Sequence, residues 1–221
     1  MKPKIKIDVI SDVVCPWCYI GKRRLEKALE ELNEAFEFDV EYHPFELNAA
    51  IPVSGVNSKT YLSEKFGSEE HYEQITGRVT AVAQTEGLTF DFNKQLVSPN
   101  TRKAHSLIKA AKESGVQTQV VEALFGAYFT DGVDLSSDKN LIQLAVTAGL
   151  SKQLAEDTLR DEEALLQIAL EEQEMHKLGI TGVPFYIINR KYGISGAQPT
   201  DTFVRALRDA SAQTSMVGRI L

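Results

Sequence analysis

The sequence lacks any long run of apolar residues. Its longest apolar stretches are a few residues, far short of the roughly 20 that a helix needs to cross a bilayer. The opening stretch, MKPKIKIDVI, carries charges but has no uninterrupted apolar segment and no small-residue cleavage site, so it is not typical of a secretory signal. With Met1 as the native start, we expect a cytoplasmic protein that has no membrane partner.

An excess of positive charge is also missing. The chain of 221 residues has 24 Lys and Arg against 31 Asp and Glu, which gives a net charge of −7. Binding to nucleic acid needs a concentrated surface of Lys and Arg. The densest basic stretch near the N-terminus, Lys22-Arg23-Arg24, is short, and we interpret it as a solvated helix face. We therefore expect no nucleic-acid partner.

Cysteine is scarce, and both cysteines, Cys15 and Cys18, stand three positions apart. A structural disulfide is a poor explanation, because closing so short a loop restrains little unfolded-state entropy and the cytoplasm is reducing. Structural zinc normally takes four ligands, whereas one Cys-x-x-Cys supplies two, and the four histidines are scattered. We therefore expect no bound metal, and the pair indicates a redox-active dithiol.

Strand and helix patterns follow one another in the order βαβ, a helical block, then ββα. Residues 4–10 alternate polar and apolar side chains, residues 36–44 return to strand chemistry, and a helical pattern lies between them. Residues 183–194 are typical of a β-hairpin, and Pro199 opens a last amphipathic helix. Helices are predicted near residues 58–66, 69–86, 100–114, 117–130, 138–148, 151–158 and 161–178, with N-caps expected at Ser58, Ser68, Asn100, Ser137 and Ser151. The outer pieces together predict one four-stranded sheet with the helical block inserted between them.

The position of the two cysteines predicts unequal roles. Cys15 falls where a strand gives way to a helix, and Pro16 occupies the first helical position. We expect its sulfur at an exposed helix N-terminus, where unpaired N–H groups and the macrodipole stabilise a thiolate. Cys18 lies one turn deeper and is predicted to be the more buried, resolving thiol.

Trp17 between the cysteines has two open interpretations: it shapes the approach of substrate, or it packs onto the domain. A histidine there would hold positive charge near the thiolate, which Trp cannot do. We therefore expect a protein less oxidising than an exchanger with a potential of roughly −120 mV.

A second segment, Thr181-Gly182-Val183-Pro184, precedes a predicted strand. Proline cannot donate to a β-ladder, so Pro184 is expected at the start of that strand. A cis Val183–Pro184 bond would direct the Val183 backbone at the sulfurs and leave it available to an extended substrate. A trans proline that simply begins a strand is the alternative, and the residues alone leave both open.

Four stretches resemble the DsbA-family thiol–disulfide oxidoreductases of the FrnE type. They are CPWCYIGKRRLEKAL at 15–29, PFELN at 44–48, SPNTRKAH at 98–105 and GVPFYIINRKYGISGAQP at 182–199. The resemblance implies an α/β thioredoxin-like fold over residues 1–57 and 179–221, with an inserted all-helical domain over residues 58–178. It also implies Cys15 as nucleophile, Cys18 as resolving thiol and cis-Pro184 as a substrate contact.

Asn48, Asn100, Thr101 and His105 fall in these motifs and are candidate cleft residues. For Asn100 simple N-capping, and for His105 a satisfied helix histidine, are the favoured interpretations.

The function predicted is exchange of the Cys15–Cys18 dithiol with protein or small-molecule thiols, with no cofactor beyond the redox-active disulfide. Glutathione is a possible co-substrate. The alternative is a glutathione-dependent transferase or isomerase, resembling kappa-class transferases and hydroxychromene-carboxylate isomerases, which generally carry serine where this chain has Cys15. A non-enzymatic holdase is a third hypothesis, and the low Met content counts against it. The oligomeric state stays open.

Overall fold

A computed structural model describes the backbone of residues 2–217 and the side chains of residues 2–211. Met1 and residues 218–221, which belong to the predicted thioredoxin-like domain, lie outside the described residues. The strands are β1 (Lys4–Ser11), β2 (Glu37–Pro44), β3 (Val56–Asn57), β4 (Val97–Ser98), β5 (Phe185–Ile188) and β6 (Tyr192–Ser195). The helices are α1 (Pro16–Leu32), α2 (Ser58–Phe66), α3 (Glu69–Thr85), α4 (Arg102–Glu113), α5 (Gln117–Gly126), α6 (Asp138–Thr147), α7 (Lys152–Arg160), α8 (Glu162–Lys177) and α9 (Thr200–Val217). Among the described residues, no helix combines the length and the apolar character that crossing a membrane requires.

Four strands form one mixed sheet in the order β2-β1-β5-β6. β1 pairs with β2 in parallel and with β5 antiparallel, and β5 continues into β6 as a hairpin. The alternation in β1 buries Ile5, Ile7 and Val9 in a core that α1 and α9 share. The predicted βαβ and ββα pieces and their common sheet are therefore confirmed.

The inserted segment packs against the sheet mainly through β2, which contacts α4, α5 and α8. On the other side of the sheet from α1, Ile10, Phe45 and Ile180 form a small second core. This arrangement leaves the end of β1, and the start of α1, at the junction of sheet and insertion.

Helix starts follow the predicted caps at three serines, since Ser68, Ser137 and Ser151 each accept a backbone N–H from the first turn. The prediction for Ser58 is wrong: Asn57 is the N-cap of α2, and its side-chain oxygen accepts the N–H of Thr60 at 3.0 Å. The N-cap position of α4 is Thr101 rather than Asn100, and its side chain makes no capping bond.

The interpretation of Lys22 as part of a solvated face is wrong. Its side chain is 2% exposed, and its ammonium group is ion-paired with Glu26 and with Glu122 of α5. The periodicity of α1 gives no sign of this, since a helix from the insertion, about a hundred residues away, covers that face.

Two short elements in or beside the insertion were not predicted. β3 and β4 form a two-residue antiparallel ladder, too short for a period-2 pattern to register. α5 runs into a π-helical turn at Ala127–Asp131, which places Tyr128 and Phe129 in the interior. Because β3 pairs with a strand of the inserted segment, the boundary near residue 58 stays a prediction.

Candidate active site

Cys15 is the N-cap residue of α1 and has an extended backbone conformation. Its N–H donates to the carbonyl of Asp12 at 3.0 Å, and its own carbonyl accepts the N–H of Cys18 at 3.0 Å. Pro16 begins the helix, where the absent N–H costs nothing. The first turn has no acidic residue, so the positive end of the helix faces Cys15 without a competing carboxylate on α1.

The expectation of an exposed Cys15 is wrong. Cys15 is 4% exposed and Cys18 2% exposed, so both thiols are buried. The cover comes from the segment before β5: Cys15 Sγ lies 3.6 Å from the carbonyl oxygen of Val183, a weak S–H···O contact. A residue 168 positions away therefore closes over the helix N-terminus.

Cys18 is the thiol held in its protonated form. Burial raises the pKa of the Cys18 thiol well above its usual value, and the neighbouring Cys15 raises it further. The hydroxyl of Ser11 and the backbone of Asp12 act in the opposite direction without overcoming the burial. Cys18 must therefore lose a proton before it can attack.

The Val183–Pro184 peptide bond is cis, and β5 begins at the next residue. The carbonyl of Pro184 is bound by the N–H of Gly196, which fixes this segment to the far side of the hairpin. No hydrogen bond engages the N–H of Val183 within the described part of the chain. The arrangement leaves a backbone donor beside Cys15 for an incoming extended chain.

Trp17 is exposed at the surface, whereas Gly21, one turn later on α1, is packed against β5. Trp17 is 40% exposed and stands at the surface beside the buried sulfurs. One turn later on α1, a Cβ on Gly21 would collide with the hydroxyl of Tyr186, a buried group without a hydrogen-bond partner among the described residues. Gly21 therefore allows β5 to approach α1 closely behind the cysteines.

Asp12 is a site residue that sequence reasoning missed. Its carboxylate is 1% exposed and accepts the N–H of Leu47 at 2.7 Å and, more weakly, that of Val14 at 3.4 Å. The ring of His105 approaches the same carboxylate at 3.4 Å and the carbonyl of Phe45 at 3.1 Å. Asp12 thus holds the loop that carries Cys15. The sequence did contain a signal for this role, because Asp12 is an acidic residue between an apolar strand and the Cys-x-x-Cys motif.

The four candidate cleft residues occupy different places. Asn48 and Thr101 line a pocket beside Pro16, and Asn48 donates to the hydroxyl of Tyr61 at 3.0 Å. Asn100 instead holds the loop at Ile51, to whose carbonyl it donates at 3.0 Å. His105 is buried beneath the active-site loop, where it lies against Asp12.

The PFELN motif at 44–48 and the SPNTRKAH motif at 98–105 contact each other. Arg102 donates from Nε and Nη2 to one carboxylate oxygen of Glu46, both at 2.8 Å. Burial raises the pKa of Glu46, although the guanidinium of Arg102 opposes that shift. The N–H of Glu46 also donates to Glu172 of α8 at 2.8 Å, so the PFELN segment is bound from two helices.

One cluster outside the active site could offer metal ligands. Donor atoms of Asp8, Glu41 and His43 all lie within 4.8 Å of one another. Lys6 already forms ion pairs with Asp8 at 3.2 Å and with Glu41 at 2.9 Å. The cluster is thus an ion-pair network, with a lysine positioned where a cation would sit.

Comparison with solved structures finds the same fold in a probable DsbA oxidoreductase, in an isomerase and in a disulfide reductase. A probable DsbA oxidoreductase from Streptomyces coelicolor is 34% identical and has a TM-score of 0.86; the match covers 94% of this chain and 90% of that one. A 2-hydroxychromene-2-carboxylate isomerase has a TM-score of 0.71 at 14% identity, with 96% and 98% covered. A cytosolic disulfide reductase, DsbM, from Pseudomonas aeruginosa with GSH has a TM-score of 0.63 at 18% identity, with 97% and 99% covered. The last two likenesses show the fold alone.

Sequence comparison extends over almost the whole chain. The uncharacterized protein YwbO of Bacillus subtilis is 28% identical over 213 residues, which is 93% of this chain and 96% of that protein. The DSBA-like thioredoxin domain matches residues 6–208, a span that includes both cysteines, the insertion and the Val183–Pro184 segment. The chain therefore belongs to the DSBA-like thioredoxin domain family and has the fold of the DsbA-type oxidoreductases.

Proposed function

We propose that this protein is a thiol–disulfide oxidoreductase in which Cys15 is the nucleophile and Cys18 the resolving thiol. The observation that carries the proposal is the asymmetry of the pair. Both thiols are buried, but Cys15 caps a helix N-terminus beside a backbone that can receive substrate, whereas Cys18 lies within the helix and has a raised pKa. Membership of the DsbA-like family agrees with this chemistry.

The proposed reaction is two successive exchanges. The Cys15 thiolate attacks one sulfur of a substrate disulfide, a mixed disulfide forms, and the other substrate sulfur leaves as a thiolate. Cys18 then loses its proton and attacks the Cys15 sulfur, which releases the second substrate thiolate and leaves the Cys15–Cys18 disulfide. The protein is oxidised by two electrons and the substrate is reduced to two thiols; the reverse sequence oxidises a substrate dithiol.

Val183 and Pro184 form the proposed substrate-binding edge. An extended substrate chain lying along this segment would pair with the Val183 backbone while its sulfur meets Cys15. Backbone pairing does not depend on the side chains of the substrate. This edge therefore suits protein thiols of many sequences as well as small ones, with glutathione as a possible co-substrate.

The reduction potential of the pair is the decisive measurement. Equilibration against glutathione buffers and trapping of free thiols should give a reversible two-electron couple, less oxidising than roughly −120 mV because Trp17 supplies no positive charge. Cys18→Ser should accumulate a mixed disulfide through Cys15, and Cys15→Ser should accumulate none. The absence of a reversible couple would overturn the proposal.

The FrnE-type assignment and the cytoplasmic location are finer parts of this proposal. The motifs at 15–29, 44–48, 98–105 and 182–199 support the first, and the neighbour described as a cytosolic disulfide reductase agrees with the second. Fractionation of cells that produce the tagged protein tests the location. Recovery in an extracytoplasmic fraction would contradict it.

A glutathione-dependent isomerase or transferase is the second candidate, and the fold likeness to a 2-hydroxychromene-2-carboxylate isomerase is the observation that favours it. A transferase needs one group that activates glutathione and no second thiol. Isomerase or transferase activity that survives Cys18→Ser and requires glutathione would establish this candidate.

A further inference from the structure

A pocket begins at the residues beside Cys15 and extends under the insertion. Its floor includes Asp12, Val14 and Pro16 of the active-site loop, and its far side includes helices α2 and α3. The cavity volume is about 130 Å³. A cavity of about 150 Å³ lined by apolar side chains holds a benzene molecule, so this space suits one aromatic ring.

The walls of the pocket are mainly apolar and include several aromatic rings. Tyr72, Phe92, Tyr128 and Phe129 contribute rings, and Ile75 of α3 contributes an aliphatic side chain. Walls of this kind favour a flat apolar group through burial and ring stacking.

Two nearly buried polar side chains lie in the lining. Thr101 is 4% exposed, and its hydroxyl has no hydrogen-bond partner among the residues that the structure describes. Gln95 is 5% exposed; its amide nitrogen donates to the carbonyl of Tyr128 at 3.3 Å, which leaves its oxygen without a partner in the described part of the chain. Both residues line the pocket, and neither of the two atoms is fully buried.

A ligand that displaces water from these two atoms must replace its hydrogen bonds, so a polar group on the ligand is favoured. The threonine hydroxyl can donate or accept, and the glutamine oxygen accepts. A hydroxyl group on a bound ring has the chemistry to pair with either atom, because it can donate to Gln95 and accept from Thr101.

We propose that this pocket binds the ring of a low-molecular-weight thiol or disulfide bearing a hydroxyl-substituted aromatic group, while its sulfur exchanges with Cys15. This inference rests on the proposed oxidoreductase function and adds a substrate class to it. The pocket is enclosed by the active-site loop, two helices and the π-helical turn, so it suits a ring on a short stem rather than a folded chain. The exchange itself is unchanged: a Cys15–substrate disulfide forms, one substrate thiolate leaves, and Cys18 releases the second.

Three disulfides of similar leaving-group acidity test the proposal. They are bis(2-hydroxyethyl) disulfide, bis(2-phenylethyl) disulfide and bis[2-(4-hydroxyphenyl)ethyl] disulfide. The second-order rate constant for oxidation of the reduced protein is followed by alkylating the remaining thiols of Cys15 and Cys18, its two cysteines, at timed intervals. We expect the hydroxyphenylethyl (phenolic) disulfide to react at least about tenfold faster than the hydroxyethyl disulfide. The rate constant of the phenylethyl (phenyl) disulfide should lie between these two.

Two variants probe the two features of the pocket separately. Ile75→Trp fills the cavity and should abolish the preference for a ring. Thr101→Val removes the hydroxyl at constant shape and should abolish only the preference for the phenolic over the phenyl disulfide. Ala81→Trp, at an exposed position of the same helix outside the pocket, is the matched control and should preserve both rate ratios.

The outcomes separate this inference from the proposed function. If no disulfide oxidises the protein, the oxidoreductase proposal fails. If all three react at similar rates, or if Ala81→Trp changes the ratios as much as Ile75→Trp, only the pocket assignment is overturned. A tyrosine-containing cystine peptide that shows the same preference and the same sensitivity to both variants would overturn the low-molecular-weight assignment.

Discussion

Two seams join the inserted helices to the thioredoxin-like sheet, and they use different chemistry. The α1 seam consists of Tyr19, Lys22 and Arg23 of α1 with Glu122 of α5. The β2 seam consists of Glu41, Tyr42 and His43 of β2 with Gln117 of α5 and Glu171 of α8. Both tie the walls of the active site together, but only the β2 seam contains a histidine.

The α1 seam combines ring stacking with a permanent ion-pair cluster. Tyr19 stacks on Phe125 with ring centroids 4.8 Å apart, and its hydroxyl donates to Glu122 at 2.7 Å. Lys22 and Arg23 bind the same carboxylate. Burial alone would raise the pKa of Glu122, but these cations outweigh it and lower that pKa to about 2.

The β2 seam instead extends the hydrogen bonding of an edge strand. The side chain of Gln117 accepts the N–H of Tyr42 at 2.9 Å and donates to its carbonyl at 3.2 Å, in the manner of a neighbouring strand. His43 lies between Glu171, at 2.8 Å, and Asp8, at 3.1 Å. Lysines from β1 and α4 neutralise the surrounding carboxylates.

The two seams differ in how their charges respond to pH. Burial lowers the pKa of His43, but its hydrogen bonds to Glu171 and Asp8 outweigh burial and raise that pKa above its usual value. Glu171 has its pKa lowered to about 2, because His43 and Lys109 outweigh its burial. The carboxylate of Glu122 in the α1 seam therefore stays ionised down to about pH 2, whereas His43 in the β2 seam loses its charge as the pH rises through its raised pKa.

The largest effect is expected from Gln117→Leu in the β2 seam. The change leaves the buried N–H and carbonyl of Tyr42 without partners, and the free energy of unfolding should fall by about 3 kcal/mol. Urea denaturation followed by circular dichroism measures it. A loss below about 1 kcal/mol would show that water replaces the glutamine and that β2 does not depend on this contact.

A smaller loss, about 2 kcal/mol, is expected from Glu122→Gln in the α1 seam. Lys22 is 2% exposed and would keep only Glu26, so part of its buried charge becomes uncompensated. The carboxylate of Glu122 is itself about one-third exposed, which limits the effect. The loss should stay constant between pH 6 and pH 9, and a strong pH dependence would contradict the permanent-charge description.

The smallest effect, about 1 kcal/mol, is expected from His43→Gln, and its pH dependence is the informative part. A raised folded-state pKa stabilises the protein below pH 6.5, and this contribution is lost as the pH rises through the folded-state value. The variant should therefore be less stable than the wild type at pH 6 and nearly equal at pH 9. The lowered pKa of Glu171 adds a contribution that is present above about pH 4.5 and lost as the pH falls towards 2. Equal differences at pH 6 and pH 9 would exclude a charged His43.

Local patterns predicted most of the secondary structure. The alternation in β1, the serine caps at Ser68, Ser137 and Ser151, and Pro16 at a helix start all act within a few residues, so the sequence displays them directly. The β3–β4 ladder has only two residues on each strand and leaves no period to detect.

The sequence predicted the dithiol of the candidate active site but not the distant residues that pack around it. Two cysteines three apart before a helical pattern indicated the dithiol, whereas the burial of Cys15 depends on Val183, far along the chain. The contact between Asp12 and His105 also joins distant segments. Such contacts depend on tertiary packing, which single-sequence periodicity does not encode.

The distance along the chain between Cys15 and Val183 has a consequence during protein synthesis. At a translation rate of roughly 5–20 residues per second, the ribosome needs about 10 to 30 s to advance the 168 positions from Cys15 to Val183. β1 obtains its neighbour β2 early, but its other neighbour, β5, is among the last strands made. A nascent chain therefore carries the dithiol without its cover, and cellular oxidants reach Cys15 and Cys18 most easily before translation ends.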